Sequence, residues 1–218
     1  MPCHNPSLDK NIPSIFLYDE TLRLACPLIA GLDEAGRGPL AGPVVAAAVI
    51  LPSGLVIEGL RDSKKTGERE RKRIFWEIVK KASAIGVGIV EAETIDRINI
   101  LQSTRLAMKI AVKDLASRPD FLLIDAVKLS DVAIEQTSII KGESVSASIA
   151  SASIIAKVLR DDIMAEYHDI YPEYNFNKHK GYGTKKHVER INMHGPCPIH
   201  RKSFRKVMDV QIPPGYDV

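Results

Sequence analysis

Short apolar runs alternate with longer amphipathic segments along this chain. The apolar and β-branched runs predict five strands, at residues 28–33, 44–51, 86–91, 121–125 and 134–140. Helical spacing of apolar residues predicts four longer helices, at residues 68–82, 100–117, 144–168 and 184–193. The first three strands come in quick succession and the later strands alternate with helices, an order typical of one α/β domain with a mixed sheet.

The same pattern assigns buried faces to these elements. In the helix at 68–82, the inward stripe consists of Ile74, Phe75, Ile78 and Val79. In the helix at 100–117, the broadly inward residues are Leu101, Leu106, Ile110 and Leu115. The fourth strand is apolar throughout, so we expect it to be central and covered on both faces. The first half of the helix at 144–168 has almost no bulky side chains, so its backbone can approach the sheet closely.

Length and proline positions indicate one main domain. A chain of 218 residues can bury a sizeable core. Prolines interrupt residues 1–24, which we expect to form a loose N-terminal extension with one short helix. Residues 25–218 then form a single domain, and its last part, from about residue 178 to residue 218, is basic and helical.

Composition favours a cytoplasmic protein that does not enter a membrane. The first residues are polar and broken by prolines, unlike a signal peptide. The longest apolar stretch, residues 41–51, is too short to span a bilayer. The three cysteines are an odd number without framework spacing, which suggests a reducing compartment. No pattern indicates oligomerisation, so we expect a monomer.

Positive charge is concentrated near the C-terminus. Residues 178–206 contain nine lysine and arginine side chains against one acid, a net charge of +8, which leaves −5 on the rest of a chain whose total is +3. Histidine and aromatic residues are interleaved with these charges. This arrangement favours a face that binds a polyanion. The alternative is a solvated, poorly ordered tail.

Four acidic residues stand where predicted strands end or where a helix begins. Asp33 and Glu34 end the first strand, Asp125 closes the fourth, and Glu143 follows the fifth. If the first and fourth strands are parallel neighbours, the acids converge at the sheet edge where α/β folds place their sites. Clustered carboxylates repel one another, and oxygen ligands suit Mg²⁺ or Mn²⁺, so the pattern predicts a two-metal site. The alternative is that each acid caps a turn or a helix, which is strongest for Glu143.

A Gly-Arg-Gly turn at residues 36–38 follows the acid pair, and its bare backbone and guanidinium group can hold phosphate. Lys64 and Lys65, in a loop, and Lys157, on the long helix, are further candidates for phosphate contacts. A solvated loop explains the first two equally well, and a surface salt bridge explains Lys157 equally well.

The sequence does not favour zinc. His194, Cys197 and His200 offer only three ligands, separated by two prolines, with no fourth partner at a usual spacing. Asp161, on the long helix, is interpreted as structural, since at roughly 1.5 Å per residue it lies too far from Glu143 to share its metals.

Six motifs occur in order along the chain. They are Asp-Glu-Ala-Gly-Arg-Gly-Pro at 33–39, Asp-Ser-Lys-Lys at 62–65, Leu-Leu-Ile-Asp at 122–125, Ala-Ser-Ile-Ile-Ala-Lys-Val at 152–158, Gly-Tyr-Gly-Thr-Lys-Lys-His at 181–187 and Pro-Ile-His-Arg-Lys-Ser-Phe at 198–204. Together they resemble the bacterial ribonuclease HII family, the type 2 ribonucleases H, over nearly the whole chain. Any one motif alone is weak, but their order makes the resemblance very specific.

This resemblance implies a ribonuclease H-like fold: a five-stranded mixed sheet flanked by helices, with a helical C-terminal part. It implies endonucleolytic cleavage of RNA in RNA–DNA hybrids. It also implies incision on the 5′ side of single ribonucleotides in duplex DNA, leaving 3′-hydroxyl and 5′-phosphate ends. The family's Mg²⁺ or Mn²⁺ ligands fall on Asp33, Glu34 and Asp125. Its fourth acid, usually Asp, is Glu143 here, which shifts the carboxylate by one methylene group.

By the same resemblance, Gly36, Arg37 and Gly38 contact the ribose 2′-hydroxyl, and Tyr182 stacks on the sugar of the adjacent deoxynucleotide. The 2′-hydroxyl is the group that separates RNA from DNA at one position, and a close backbone approach needs glycine. Two alternatives stay open. One is another nuclease on the same fold, such as a junction resolvase. The other is a hybrid-binding protein weakened in catalysis by Glu143.

Overall fold

One five-stranded mixed sheet organises the chain. The computed structural model describes residues 12–60 and 67–209. The strands are β1 (Ile29–Ala35), β2 (Val44–Ile50), β3 (Ala84–Val90), β4 (Phe121–Asp125) and β5 (Glu135–Ile139). Their order is β3-β2-β1-β4-β5. The pairs β1–β2 and β2–β3 are antiparallel, and the pairs β1–β4 and β4–β5 are parallel. The predicted sheet is therefore confirmed.

Helices cover both faces of the sheet. They are α1 (Ser14–Arg23), α2 (Glu68–Lys81), α3 (Ala92–Ile98), α4 (Ile100–Asp114), α5 (Ala147–Ile170), α6 (Phe176–His179), α7 (Lys185–His194) and α8 (Arg205–Met208). On one face α4 packs against β2 and β3, and on the other α5 packs against β1 and β2. None of the helices described is both long and apolar enough to cross a lipid bilayer.

The strand β4 is covered on both faces, as predicted. Leu122 and Ile124 pack in the apolar cluster on the α4 side, whereas Leu123 packs with Ile149 of α5. The centre of the sheet, however, is β1, with β4 beside it. This position matters for the site because both strands end in acidic residues.

The small-residue half of α5 packs closely on the sheet, as its composition predicts. A Cβ atom added at Gly31 of β1 would overlap the backbone of Ser148. Only glycine allows this approach, which brings the side chains of α5 over the end of β1. The helix begins at Ala147 rather than at residue 144, because a separate 3-10 turn, Gly142–Ser144, precedes it.

The inward face predicted for α4 is wrong in part. Leu101 and Ile110 are 39% and 37% exposed, and the buried residues are Ser103, Thr104, Ala107, Met108 and Ala111. The reason lies in β3, where a Cβ atom at Gly86 or Gly88 would overlap the carbonyl groups of Ala111 or Ala107. Two glycines on the strand let Ala107 and Ala111 of the helix lie directly against the sheet, whereas Leu101 and Ile110 stay on the outer side. In α2, Val79 is likewise 40% exposed, whereas the other three predicted residues are buried.

The helix expected within residues 1–24 is α1, and it is packed rather than loose. Ile15 and Phe16 are buried in the core cluster that also contains residues of α2 and α5. The buried carboxylate of Asp19 accepts hydrogen bonds from the backbone N–H and the hydroxyl of Ser148, at 2.8 and 2.7 Å. A domain boundary at residues 24–25 remains a prediction, but this helix contributes to the same core as the rest of the chain.

Candidate active site

The sheet brings two acidic residues to one edge. β1 and β4 are parallel neighbours, with Leu32 opposite Ile124, so Asp33 and Asp125 follow the last paired position of each strand. The expected parallel pairing is thus confirmed. Asp33 and Glu34 themselves still belong to β1, which pairs on its other side with β2.

Asp33 lies in a buried environment that opposes its charge. It is 4% exposed, and its Oδ1 accepts the N–H of Glu34 at 2.7 Å. The hydroxyl of Ser153, on α5, also hydrogen-bonds to it. Burial and then the negative charges of Glu34 and Asp125 nevertheless raise the pKa of Asp33 from 3.8 to about 7. Near neutral pH this carboxylate therefore gains stability from a proton or from a cation.

Glu34 is buried beside it with one oxygen satisfied. Oε1 forms a 3.3 Å ion pair with Nη1 of Arg37, whose side chain is 44% exposed. Oε2 is buried and receives no hydrogen bond from the described residues. Burial raises the pKa of Glu34, the charge of Arg37 opposes this rise, and Asp125 adds to it. A buried carboxylate oxygen without a donor is costly unless something else binds it.

Asp125 and Glu143 meet through the backbone. Oδ1 of Asp125 accepts the N–H of Gly142 at 2.7 Å, and Gly142 opens the 3-10 turn that carries Glu143. Glu143 is half-buried next to this contact. It does not line the cleft that the other three acids face. The structure therefore brings three of the four predicted acids together and leaves Glu143 at the margin.

These acids open into a cleft of about 390 Å³. Its lining consists of Asp33, Glu34, Ala35, Gly36, Arg37, Gly38, Arg71, Asp125, Ser153, Ile154, Lys157 and Tyr182. Acidic, basic, glycine and aromatic residues from β1, β4, α2, α5 and the C-terminal part thus share one concave surface. This combination suits a phosphodiester, since the acids can hold cations and the basic groups can contact phosphate.

Lys157 is the predicted lysine that the structure brings to this cleft. Its Nζ also forms a 2.6 Å ion pair with Oδ1 of Asp161. The residue therefore has the salt bridge that was one interpretation of the sequence, and it lines the cleft where the other interpretation places a phosphate contact. Lys64 and Lys65 lie outside the described residues. Arg71 of α2 lines the cleft, yet sequence reasoning did not name it. No local signal distinguishes it from the other basic residues of that helix.

The glycine turn and the predicted aromatic residue lie close together in the cleft. Gly36 has a φ of +100°, in the left-handed region, and a Cβ atom there would overlap the side chain of Arg160. A Cβ atom at Gly38 would lie 3.8 Å from Cε1 of Tyr182, which is ordinary van der Waals contact. Tyr182 is 46% exposed, so one side of its ring remains open to the cleft.

Two arginines that sequence reasoning did not name as functional lie beneath this turn. Arg160, on α5, and Arg201, before α8, are 1% and 0% exposed. Their guanidinium groups donate hydrogen bonds to backbone carbonyls of residues 36–43. Both residues stand in or beside recognised motifs. Their burial is not readable from sequence because arginine is mostly an exposed residue.

A chain of neutral histidines supports the backbone of Tyr182. Its carbonyl lies 3.0 Å from Nδ1 of His187, whose Nε2 lies 3.1 Å from Nε2 of His200. Nδ1 of His200 accepts the N–H of Cys197 at 3.0 Å. Burial lowers the pKa of His187 to about 4 and that of His200 to about 3. We assign His187 as donor to the carbonyl and His200 as donor to His187, which gives every ring nitrogen a partner.

The chemistry of the acids fits a hard divalent cation. The residues that could hold one are Asp33, Glu34 and Asp125, which supply oxygen ligands. The buried Oε2 of Glu34 and the mutual repulsion of the carboxylates both favour a bound cation. Across residues 12–60 and 67–209, no group of three histidine, cysteine or acidic side chains lies close enough together to hold a metal ion as it stands. The acids face one cleft without forming a closed set of ligands.

The basic segment is folded as far as it is described. Residues 178–206 run through the end of α6, the whole of α7 and the start of α8. Phe176, Ile191 and Val207 anchor this part in its own apolar cluster. The alternative of a poorly ordered tail is therefore wrong for these residues, and their charges are carried on a packed scaffold beside Tyr182.

A mixed sheet whose parallel neighbours carry acids that face one cleft is typical of nucleases of the ribonuclease H-like class. Within that class, the chain belongs to the ribonuclease HII family, whose model matches residues 30–207. Ribonuclease HII of Acetivibrio thermocellus is 54% identical over 203 residues, which cover 93% of this chain and 79% of that relative. The predicted family and its enzyme class, type 2 ribonuclease H endonucleases, are thus confirmed.

Solved structures share the fold at lower identity. Ribonuclease H2 from Pyrococcus horikoshii OT3 matches with a TM-score of 0.73 and 22% identity, covering 84% of this chain and 96% of that one. Bst-RNase HIII in complex with Mn²⁺ matches with a TM-score of 0.62 and 20% identity, covering 94% of this chain and 72% of that one. These likenesses confirm the predicted ribonuclease H-like fold.

Proposed function

We propose that this chain is a metal-dependent endoribonuclease. It cleaves RNA in RNA–DNA hybrids and incises on the 5′ side of single ribonucleotides in duplex DNA, leaving 3′-hydroxyl and 5′-phosphate ends. One observation carries the proposal: the carboxylates of Asp33, Glu34 and Asp125 share a cleft with a glycine turn and an exposed tyrosine. Membership of the ribonuclease HII family supports the reaction class.

Asp33, Glu34 and Asp125 would hold the divalent cations, and Glu143 would join them from the margin of the cleft. Mg²⁺ or Mn²⁺ at such a site supplies Lewis-acid activation of water and stabilises the leaving oxygen. The match to a Mn²⁺ complex of Bst-RNase HIII supports this expectation. Because the pKa of Asp33 is raised to about 7, a proton competes for this carboxylate, so cation affinity should rise with pH.

The same cleft offers the groups that would recognise the substrate. Gly36, Arg37 and Gly38 bring backbone amides and one guanidinium group to the cleft, beside the acids. Tyr182 faces Gly38, so a sugar stacked on its ring would stand beside the turn that reads the preceding ribose. A backbone contact to the 2′-hydroxyl would be lost with a deoxynucleotide.

The folded basic segment would bind the duplex outside the cleft. Its exposed positive charges attract phosphates without reading sequence. Lys157 and, outside the described residues, Lys64 and Lys65 remain proposed phosphate contacts. We keep the monomer as the proposed acting species and the cytoplasm as its proposed location.

The decisive experiment uses an end-labelled DNA duplex that contains one ribonucleotide. It is incubated with Mg²⁺, with Mn²⁺ or with EDTA, alongside an all-DNA duplex, an RNA–DNA hybrid and a DNA junction. We expect a nick on the 5′ side of the ribonucleotide with either metal and none with EDTA. Extension of the nicked strand by a DNA polymerase then identifies its 3′-hydroxyl end.

A folded protein that leaves the ribonucleotide duplex and the hybrid intact with both metals would contradict the proposal. Cleavage of the junction alone would favour the resolvase alternative. Tight binding of the hybrid without cleavage would favour the catalytically weakened binding protein, and Glu143 would be the first residue to exchange.

A further inference from the structure

Two positive charges are buried without an acidic partner beneath the glycine turn. Arg160 and Arg201 are 1% and 0% exposed. Within the described residues, neither guanidinium group forms an ion pair with a carboxylate at 4 Å or less. Burial lowers the pKa of Arg201 to about 9, so it still carries its charge at neutral pH. Such a cost implies that both groups serve a purpose that a neutral side chain does not.

Arg201 binds the carbonyl groups on one side of the turn. It donates to Gly36 at 2.6 Å, to Arg37 at 3.1 Å and to Pro39 at 2.8 Å. Two further donors reach the carbonyl of Gly42, at 3.0 and 2.8 Å. One planar guanidinium group therefore fixes four carbonyls. The backbone N–H of Arg201 also donates a hydrogen bond to the carbonyl of Leu40, at 2.8 Å.

Arg160 completes this pattern and joins the turn to the loop of Tyr182. It donates to Pro43 at 3.0 Å, to Ala41 at 3.1 Å and to Lys180 at 3.0 Å. Its guanidinium carbon also lies 5.9 Å from the centre of the Tyr182 ring. The same side chain thus contacts both structures that face a bound nucleotide in the proposed function.

Together the two arginines donate hydrogen bonds to seven of the eight backbone carbonyls of residues 36–43. The exception is the carbonyl of Gly38, for which no such bond from either arginine is seen. Because the arginines hold the carbonyls of this segment on one side, its opposite side can face the cleft. Without that support, the short glycine-rich segment would have many alternative conformations.

We propose that Arg160 and Arg201 are positioning residues for sugar discrimination: they hold residues 36–43 and Tyr182 in the arrangement that distinguishes a ribonucleotide from a deoxynucleotide. This inference rests on the proposed function, because it concerns how that cleft selects its substrate. The requirement is for the planar fork as well as for charge. Lysine keeps the charge but presents a single ammonium group, which cannot span four carbonyls.

The test exchanges each arginine for lysine, as Arg160→Lys and Arg201→Lys. Nicking of the single-ribonucleotide duplex gives kcat and KM, and the all-DNA duplex of the same sequence, added as a competitor, gives its Ki. We expect KM to rise about 10- to 100-fold in each variant, and kcat/KM to fall accordingly, because small displacements of binding groups have effects of this size. The Ki of the all-DNA competitor should stay within about threefold of its original value, since the basic surface is unchanged.

The ratio of Ki to KM separates positioning from a structural role. A merely structural arginine would lower the amount of active protein and its melting temperature without changing this ratio. The control Arg118→Lys makes the same exchange on an exposed arginine between α4 and β4, outside both the cleft and the basic segment, and it should behave like the original protein.

An unchanged ratio in both variants would overturn the inference, as would a failure of both lysine variants to fold, since the arginines would then serve the fold as a whole. If the original protein itself shows no preference for the ribonucleotide duplex, the proposed function fails instead. The two results are therefore distinguishable.

Discussion

Two groups of buried charges of opposite sign lie on either side of the glycine turn. Asp33 and Glu34 face the cleft, where each raises the energetic cost of the other, and one oxygen of Glu34 has no donor among the described residues. Arg160 and Arg201 lie beneath the turn, and backbone carbonyls at 2.6–3.1 Å accept hydrogen bonds from their guanidinium groups. Asp33 and both arginines are buried and Glu34 is half-buried, but only the arginines have every nitrogen of their charged group hydrogen-bonded within the protein.

This difference separates a binding site from a structural support. A buried charge that the chain satisfies can stabilise one conformation, whereas a buried charge left without donors requires a ligand or a proton. The acids would obtain their missing partner from a cation, and the arginines already have theirs. The contrast makes opposite predictions for the removal of each charge.

The largest effect should come from removing an acid of the cleft. We expect Asp33→Asn and Asp125→Asn each to reduce cleavage by at least about 1,000-fold, more than the loss typical for partners that only orient a metal ligand. Binding of the RNA–DNA hybrid should survive, because the basic segment is unchanged. The measurements are single-turnover cleavage and fluorescence anisotropy. Asp169→Asn, the same exchange on an exposed residue of α5, serves as the control, and retained activity in both cleft variants would move the metal site elsewhere.

The second effect is on stability and has opposite signs in the two groups. Arg160→Met leaves three carbonyls without their donor and should destabilise the protein by about 3 kcal/mol or more. Asp33→Asn should instead stabilise the metal-free protein at pH 8, by about 1–3 kcal/mol. The measurement is urea unfolding in EDTA. Equal signs for the two variants would refute the distinction between the two groups.

The pH dependence of that second effect follows from the raised pKa of Asp33. Between pH 3.8 and about 7 the folded state retains a proton that the unfolded state has released. Raising the pH through this window therefore lowers the stability of the metal-free protein. In Asp33→Asn this contribution is absent, so the stabilisation measured at pH 8 should largely disappear at pH 4.

A third effect concerns Tyr182, which shares the cleft with the turn and whose ring lies against Arg160. We expect Tyr182→Ala to slow incision at a single ribonucleotide by about 10- to 100-fold, since stacking on one base or sugar contributes roughly 1–3 kcal/mol. Cleavage within a long RNA–DNA hybrid should fall less, because ribose contacts remain at every position. Tyr182→Phe keeps the ring and is the matched control. An unaffected rate in the alanine variant would exclude the stacking role.

The smallest effect is expected at Glu143, which lies at the margin of the cleft. Glu143→Asp restores the side chain usual in the family and should preserve activity or raise it by up to about threefold, corresponding to less than 1 kcal/mol. Glu143→Gln tests whether the charge is needed at all. A strong loss in the aspartate variant would show that the longer side chain is required in this chain.

The sequence predicts most of the sheet and the acids because both are local signals. Apolar runs with turn residues between them indicate the strands, and an acid that closes an apolar strand is costly without a partner, which singles out Asp33 and Asp125. The inward face of α4 was not predictable in the same way. It depends on Gly86 and Gly88 of β3, which are distant in sequence and let alanines rather than leucines face the sheet.

The sequence by itself determined the family, the five strands and the acidic, glycine and tyrosine residues of the candidate site. Each of these follows from neighbouring residues, either a short apolar run or a short motif. Only the tertiary structure decided that Arg160 and Arg201 are buried beneath the turn, that Arg71 joins the cleft and that Glu143 stays at its margin. These facts depend on contacts between segments far apart in the chain, and such contacts set the cost or benefit of a buried charge.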